Sequence, residues 1–323
     1  MLSNDLEVIE VSLKWAAAGY RSALVTVLST FGASPRPPGS MAAIREDGLV
    51  IGSVSGGCVE DDIVRSVKAP GFWQQATPIL LLAFGTTADE RARYRLPCGN
   101  ALKVAVETRW CVDQLAEAHA MIRAGQPVTR VVDYRSGVSH LEAPAGAARF
   151  SDDETGFRNG LGPRYRLLII GASELGQYLA NIAQTLDYAI TVCDPRSEYA
   201  DAWTLPHVTF TREMPDDVVL AFQCDERTAV VAVTHDPKLD DLALMEALRT
   251  PAFYVGALGS VATNARRRER LQEFEVTEAQ AARLHGPVGL RIGSKAPAEI
   301  AVSIAAELIQ VRSAMAVTSG AGG

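Results

Sequence analysis

No apolar run in this sequence approaches the roughly 20 residues that a membrane-spanning helix needs. Cysteine is sparse, with five residues, Cys58, Cys98, Cys111, Cys193 and Cys224, odd in number and without a C-x-x-C or metal-finger interval. That pattern argues against a disulfide framework and suits free thiols in a reducing cytoplasm. Basic charge is also short. The formal net charge is −7, which argues against nucleic-acid binding through a general basic field. The one basic run, Arg266-Arg267-Arg268, is followed by acidic neighbours. Met1 to Glu10 carries acidic residues and no basic segment, so it does not read as a signal peptide. The expectation is a cytoplasmic protein with no nucleic-acid and no membrane partner. What is present is ordinary for a soluble globular chain: 323 residues, 48% hydrophobic and 21% charged, enough for two domains.

The first half turns on Gly52-Ser53-Val54-Ser55-Gly56-Gly57-Cys58-Val59-Glu60. A hydrophobic run from Leu49 to Val54 ends in two glycines and a cysteine, and Glu60-Asp61-Asp62 then opens an apolar-periodic segment. This reads as strand, tight turn and helix N-terminus. Gly56 and Gly57 let a ligand approach the main chain, and the N–H groups at a helix start attract anions and lower the pKa of a nearby thiol. Ser55, Gly56, Gly57 and Cys58 are therefore candidate binding residues. Cys58 is read either as a reactive thiolate or soft ligand, or as a small buried residue at a strand–helix junction; the acids after it oppose a thiolate.

Upstream, Leu6, Ile9, Leu13 and Trp15 mark an amphipathic helix that stops at Gly19, and Ala23 to Ser29 a buried strand. The proline-rich stretch from Thr30 to Ser40 is a stiff loop presenting Arg36, either a phosphate or carboxylate clamp or a solvated arginine. Met41 to Ile44 and Leu49 to Val54 form a hairpin about Asp47-Gly48. A helix spans Val59 to about Val67, and strands follow at Pro78 to Phe84 and Ala101 to Glu107. Leu96-Pro97-Cys98-Gly99-Asn100 is a second glycine turn with a cysteine at its tip, adding Cys98 and Gly99 as candidates. Asp113 to Ala124 reads as a helix and Pro127 to Tyr134 as a strand. The first domain so read is a mixed α/β domain over residues 1–142. Residues 143–164, rich in Pro, Gly, Asp and Ser, read as a linker.

Residues 165–312 read as a Rossmann-like doubly wound domain, and 313–323 as a flexible tail. Tyr165 to Ile170 is a buried strand that meets Gly171-Ala172-Ser173-Glu174-Leu175-Gly176, a helix, and a second strand ending in Asp194-Pro195-Arg196. This is close to the dinucleotide fingerprint, with Gly171 and Gly176 as its first and third glycines and Ser173 in place of the second. Asp194 stands at the spacing of a ribose contact. Val218 to Phe222, Ala229 to Thr234 and Ala252 to Val255 read as further strands. His235 and Asp236 lie beyond one strand end, where open α/β sheets bind ligands, although Asp236 is equally suited to cap the next helix. Gly256 and Gly259 let a ligand approach the backbone after another strand. A loop from His285 to Lys295 leads to a long helix starting at Pro297.

Several of these stretches resemble the XdhC/CoxI family, whose members serve molybdenum hydroxylases. They are GASPRPPGSM (Gly32 to Met41), GSVSGGCVEDD (Gly52 to Asp62), LPCGN (Leu96 to Asn100), LLIIGASELGQYLA (Leu167 to Ala180), THDPKLDD (Thr234 to Asp241), FYVGALGS (Phe253 to Ser260) and HGPVGLRIGSKAPAEIAVSIAAE (His285 to Glu307). The resemblance implies a maturation chaperone rather than a catalyst. Such a protein binds the molybdenum cofactor, as molybdopterin or its cytosine dinucleotide, supports its sulfuration with a cysteine desulfurase, and passes it to an apo molybdenum hydroxylase. By position, Cys58 and Cys98 match the family cysteines, with Cys58 a possible molybdenum contact. Asn100 stands where many members have glycine. A homodimer is also expected. The rival readings are an NAD(P)-dependent oxidoreductase using the Gly171 turn, which lacks an evident catalytic lysine–histidine or tyrosine–lysine pair, and a protein-binding scaffold.

Overall fold

The computed structural model describes residues 4–31, 36–56, 59–85, 101–144 and 149–320, leaving aside the side chains of residue 31 and of residues 316–320. The chain divides into two compact units, Leu2–Pro163 and Arg164–Gly323.

In the first unit, α1 (Asn4–Ala17) leads to β1 (Ser22–Phe31), β2 (Met41–Arg45) and β3 (Val50–Gly52), then α2 (Glu60–Lys68), β4 (Ile79–Phe84), β5 (Ala101–Glu107), α3 (Val112–Arg123), β6 (Val128–Asp133), β7 (Ser139–Glu142), β8 (Phe150–Asp152) and β9 (Gly156–Leu161). Among the described residues one sheet has the order β3-β2-β1-β5-β4 and a second the order β7-β6-β9-β8, with every pairing antiparallel. The period-2 alternation of the strands gives the first sheet two apolar faces. Ile63 and Val67 of α2 pack on the face of Val25, Ile44 and Val104. Ile9 of α1 and Leu115 and Ile122 of α3 pack with Leu24 and Met41. Between β5 and β6, Glu107 and Arg130 form a buried bidentate pair, with Nη1–Oε1 2.9 Å and Nη2–Oε2 2.7 Å.

Residues 143–164 do not form a plain linker. β8 and β9 lie within them and extend the second sheet. Their signal is short but physical: Asp153 accepts N–H bonds from Thr155 and Gly156 to make the turn, and Phe157 and Leu161 bury one face of β9.

The second unit contains β10 (Tyr165–Ile170), α4 (Glu174–Ala183), β11 (Tyr188–Cys193), α5 (Ser197–Ala200), β12 (Thr209–Thr211), α6 (Pro215–Phe222), β13 (Thr228–Ala232), α7 (Pro237–Arg249), β14 (Tyr254–Ala257), α8 (Val261–Glu273), α9 (Glu278–Ala282), β15 (Leu284–His285) and α10 (Pro297–Gly320). Its sheet has the order β12-β11-β10-β13-β14-β15 and is parallel throughout. This is the doubly wound Rossmann order, in which the strand sequence reverses between β10 and β13. The strands are near-continuous apolar runs because helices cover both faces. Two expectations are corrected. Val218 to Phe222 is the end of α6, begun by Pro215 at the first helical position with Asp216 and Asp217 in the first turn, all helix-start chemistry. The residues after 312 continue α10 as far as Gly320. Among the described residues no helix is long and apolar enough to cross a membrane.

Candidate functional site

The turn between β3 and α2 is built around Glu60, which is 7% exposed. Its Oε1 accepts from Ser53 Oγ (2.8 Å), Val54 N (2.8 Å) and Ser55 N (2.9 Å). Its Oε2 accepts from Ser55 Oγ. The serines are used twice, since Ser53 Oγ accepts from Gly56 N and Ser55 Oγ from Val59 N, both at 3.0 Å. The anion that this turn holds is therefore the chain's own carboxylate. Burial opposes its ionisation, but the bonds from Ser55, Ser53 and Val54 outweigh that and hold Glu60 at about 2. Ser55 and Gly56, expected to present N–H groups to a ligand, have them engaged within the turn. Gly57 and Cys58 lie outside the described residues, as do Cys98 and Gly99. Arg36 is half-buried in the bend before β2.

Two of the remaining cysteines are inert by environment. Burial, reinforced by Asp194, pushes the Cys193 thiol up to about 12, and burial raises Cys224 as well. Cys111 is exposed.

In the second unit the turn from Gly171 to Gly176 sits at the point where the strand order reverses. Gly171 has φ +120°, and a Cβ on Gly176 would lie 2.2 Å from the Gly171 carbonyl oxygen, so α4 meets its strand without room for a side chain. Asp194, at the end of β11, is fully buried. It accepts from Ala172 N (2.8 Å) and from Arg196 N (3.1 Å), Nε (2.9 Å) and Nη2 (2.8 Å). Burial acts against its ionisation, yet these bonds, led by Arg196, lower its pKa. Arg196 also donates to the Thr234 carbonyl at 3.3 Å and lies over the Tyr199 ring, 4.1 Å from its centroid. The residue that the spacing offers to a ribose diol is thus saturated by four donors and covered by a guanidinium. A diol needs a carboxylate with open lone pairs, so Asp194 does not fit the ribose diol of NAD.

One group at this turn is left over. Ser173 is the N-cap residue of α4 but makes no capping bond, and its buried Oγ has no partner. At the β13 end, His235 is exposed with φ +63°, while Asp236 caps α7 by accepting from Lys238 N at 2.9 Å. The cap alternative for Asp236 is the one realised. Gly256 lies inside β14, where a Cβ would come within 2.7 Å of Tyr254 and Val288. It makes room for packing rather than for a ligand. Gly259 precedes Ser260, which caps α8.

Sequence reasoning missed two polar clusters, one buried about Asp240 and one part-buried about Glu307. Asp240 accepts from Thr234 N and Oγ1 and from Arg267 Nη2 at 3.1 Å, and Arg267 also reaches the Leu258 carbonyl at 2.8 Å, tying two strand-end turns together. Glu307 of α10 accepts from the Tyr254 hydroxyl and from Gly289 N and bonds His285 Nδ1 at 3.0 Å. The only sequence signal for either was an acid placed within an apolar helix pattern.

Known proteins resemble this chain in sequence and fold. A profile of the XdhC and CoxI family matches residues 15–80, and one of the XdhC Rossmann domain matches residues 167–308. The chain belongs to the XdhC and CoxI family. Among curated proteins it is 26% identical to a probable xanthine dehydrogenase subunit of Bacillus subtilis, over 91% of this chain and 94% of that one. It is also 26% identical to the molybdenum cofactor insertion chaperone PaoD of Escherichia coli, over 94% of this chain and 88% of that one. A crystal structure from Bacillus halodurans, described as a xanthine dehydrogenase, shares the fold at TM-score 0.74 and 24% identity, over 95% of this chain and 96% of that one.

Proposed function

We propose that this chain is a cytoplasmic chaperone that binds the molybdenum cofactor, supports its sulfuration with a cysteine desulfurase, and delivers it to an apo molybdenum hydroxylase. The observation that carries this reading is the Glu60-anchored turn within a family whose relative PaoD is named a cofactor insertion chaperone. A protein that receives and releases a labile, soft metal centre needs a thiol on a fixed support rather than on a mobile loop. Cys58, two residues before Glu60 in sequence, is the first candidate thiol. Cys98 is the second candidate thiol.

The cargo is molybdopterin or its cytosine dinucleotide. For the dinucleotide form, the start of α4 is the anion-accepting end of the second unit. Its helix N–H groups and the unpartnered Ser173 Oγ suit phosphate oxygens, whereas the engaged Asp194 disfavours the ribose diol of NAD. The test is anaerobic equilibrium binding of molybdopterin and of its cytosine dinucleotide, with NADH as control. Micromolar or tighter pterin binding, weakened at least tenfold by Cys58→Ala in a folded protein, is the expected result. NADH binding without pterin binding replaces the chaperone with an oxidoreductase.

A further inference from the structure

We infer that the crevice of the second unit takes a dinucleotide whose ribose carries a 2′-phosphate, the NADP class, and that Arg196 is the residue that reads this phosphate. The inference stands on the second unit alone and does not rest on the chaperone reading.

Three strand ends meet where the strand order reverses. Ala172, after β10, donates to Asp194 Oδ2 at 2.8 Å. Arg196 Nη1, after β11, donates to the carbonyl of Thr234, after β13, at 3.3 Å. Gly171 lies so close to the β13 end that a Cβ there would stand 3.0 Å from Thr234 N. The start of α4 and Arg196 thus belong to one crevice. A pyrophosphate resting on the first turn of α4 puts the adjoining ribose at the end of β11. Ser173, the N-cap residue of α4, adds a buried hydroxyl that has no partner of its own.

At the ribose position the usual polarity is reversed. An NAD site offers the diol an open carboxylate. Here Asp194 is the buried member of an ion pair and Arg196 the accessible one, with side chains 0% and 21% exposed. A ligand at the end of β11 therefore meets donors and positive charge. A guanidinium has five N–H groups. Nε and one N–H of Nη2 go to Asp194, and one N–H of Nη1 goes to Thr234. Each terminal nitrogen keeps one N–H without a partner among the described residues. Two such groups on one rigid fork match two oxygens of a phosphate. Asp194 fixes the fork, and the Tyr199 ring lies against it, 4.1 Å from ring centroid to guanidinium carbon. The carboxylate that would have bound a diol has become the holder of a phosphate-reading arginine.

Equilibrium binding of the full chain to NADPH and NADH, with 2′,5′-ADP and 5′-AMP as the matching fragments, tests this. The wild type should bind NADPH and 2′,5′-ADP about tenfold or more tighter than NADH and 5′-AMP. Arg196→Ala should bring NADPH down to the level of NADH and leave NADH unchanged. The ratio is the readout, because an arginine that only supports the fold would lower both ligands together. Equal binding of NADPH and NADH by the wild type, no binding of either at millimolar concentration, or an unchanged ratio in a folded Arg196→Ala overturns the inference. Should Arg196→Ala not fold, the phosphorus NMR signal of the 2′-phosphate on the wild type decides. A phosphate held by a guanidinium keeps its second charge to lower pH than in the free nucleotide, and a bound titration identical to the free one removes the inference.

Discussion

The two glycine turns that open α2 and α4 are each organised by one buried carboxylate, and they differ in where it comes from. At the first turn Glu60 belongs to the helix that the turn begins, and it accepts from Ser53, Val54 and Ser55 through neutral hydroxyls and backbone N–H groups. At the second turn Asp194 arrives from the neighbouring strand, 22 residues from Ala172, and brings a guanidinium with it. The first turn is a local device, with the Glu60 partners five to seven residues away in sequence. The second exists only once β10 and β11 have paired. Among the described residues the first is also complete, whereas the second leaves the Ser173 hydroxyl unmatched. A self-satisfied turn is suited to hold a neighbouring residue still, and a turn with a spare donor is suited to receive an anion.

The largest effect is expected at Glu60. Glu60→Ala strips the acceptor from two backbone N–H groups and two serine hydroxyls, and should destabilise the first unit by about 4 kcal/mol at pH 7. Three of the four tryptophans, Trp15, Trp73 and Trp110, lie in that unit, so fluorescence-detected urea unfolding follows it. The pH dependence carries the same signature. A carboxyl lowered to about 2 on folding binds its proton more readily when unfolded. Its stabilisation is therefore present above the ordinary glutamate value of about 4.3 and is lost as pH falls toward 2, amounting to about 3 kcal/mol. The variant should lack that part of the acid transition. Identical acid profiles for both proteins would mean that the carboxylate does not hold the turn.

Arg196→Ala probes the second turn. Removing the guanidinium leaves Asp194 buried on backbone donors alone and should cost about 2 kcal/mol, less than a fully buried pair because Arg196 is partly solvated. The loss should appear in the unfolding of the second unit, where Trp203 reports, and leave the first unit's transition in place. A loss as large as that of Glu60→Ala would erase the distinction between a local carboxylate and an imported one.

Most of the strands and the second unit's strand–turn–helix order were legible because period, glycines and flanking polar residues are all local signals. The Gly171 and Gly176 requirements were legible for the same reason. What failed locally was arbitration. VVLAF at Val218 to Phe222 fits strand and helix alike, and Pro215-Asp216-Asp217 ahead of it was the deciding signal. Residues 150–161 hide a hairpin because its strands are short and its turn polar. The sites were less legible than the fold. Glu60 read as an acid that opposes a thiolate, while its actual partners depend on a side chain folding back over five to seven residues. Asp194 read correctly as a strand-end acid, but Arg196, two residues on, takes its lone pairs. Asp240 and Glu307 reach partners that only the tertiary fold supplies.

The smallest effect is also the sharpest contrast between the turns. Ser55 and Ser173 occupy comparable places, each in a glycine turn just before a helix. Ser55 Oγ donates to Glu60 and accepts from Val59 N, so Ser55→Ala should cost about 1 kcal/mol or more in the first unit. Ser173 Oγ is buried without a partner, so Ser173→Ala removes a desolvated hydroxyl that returns nothing in the free protein. Its stability should be unchanged or higher by up to about 1 kcal/mol. If the hydroxyl serves a phosphate, the same variant should bind the cytosine dinucleotide cofactor more weakly while binding molybdopterin as before. Urea unfolding of both variants, beside the two binding isotherms, separates these outcomes. A destabilised Ser173→Ala would show that the second turn, like the first, is already complete.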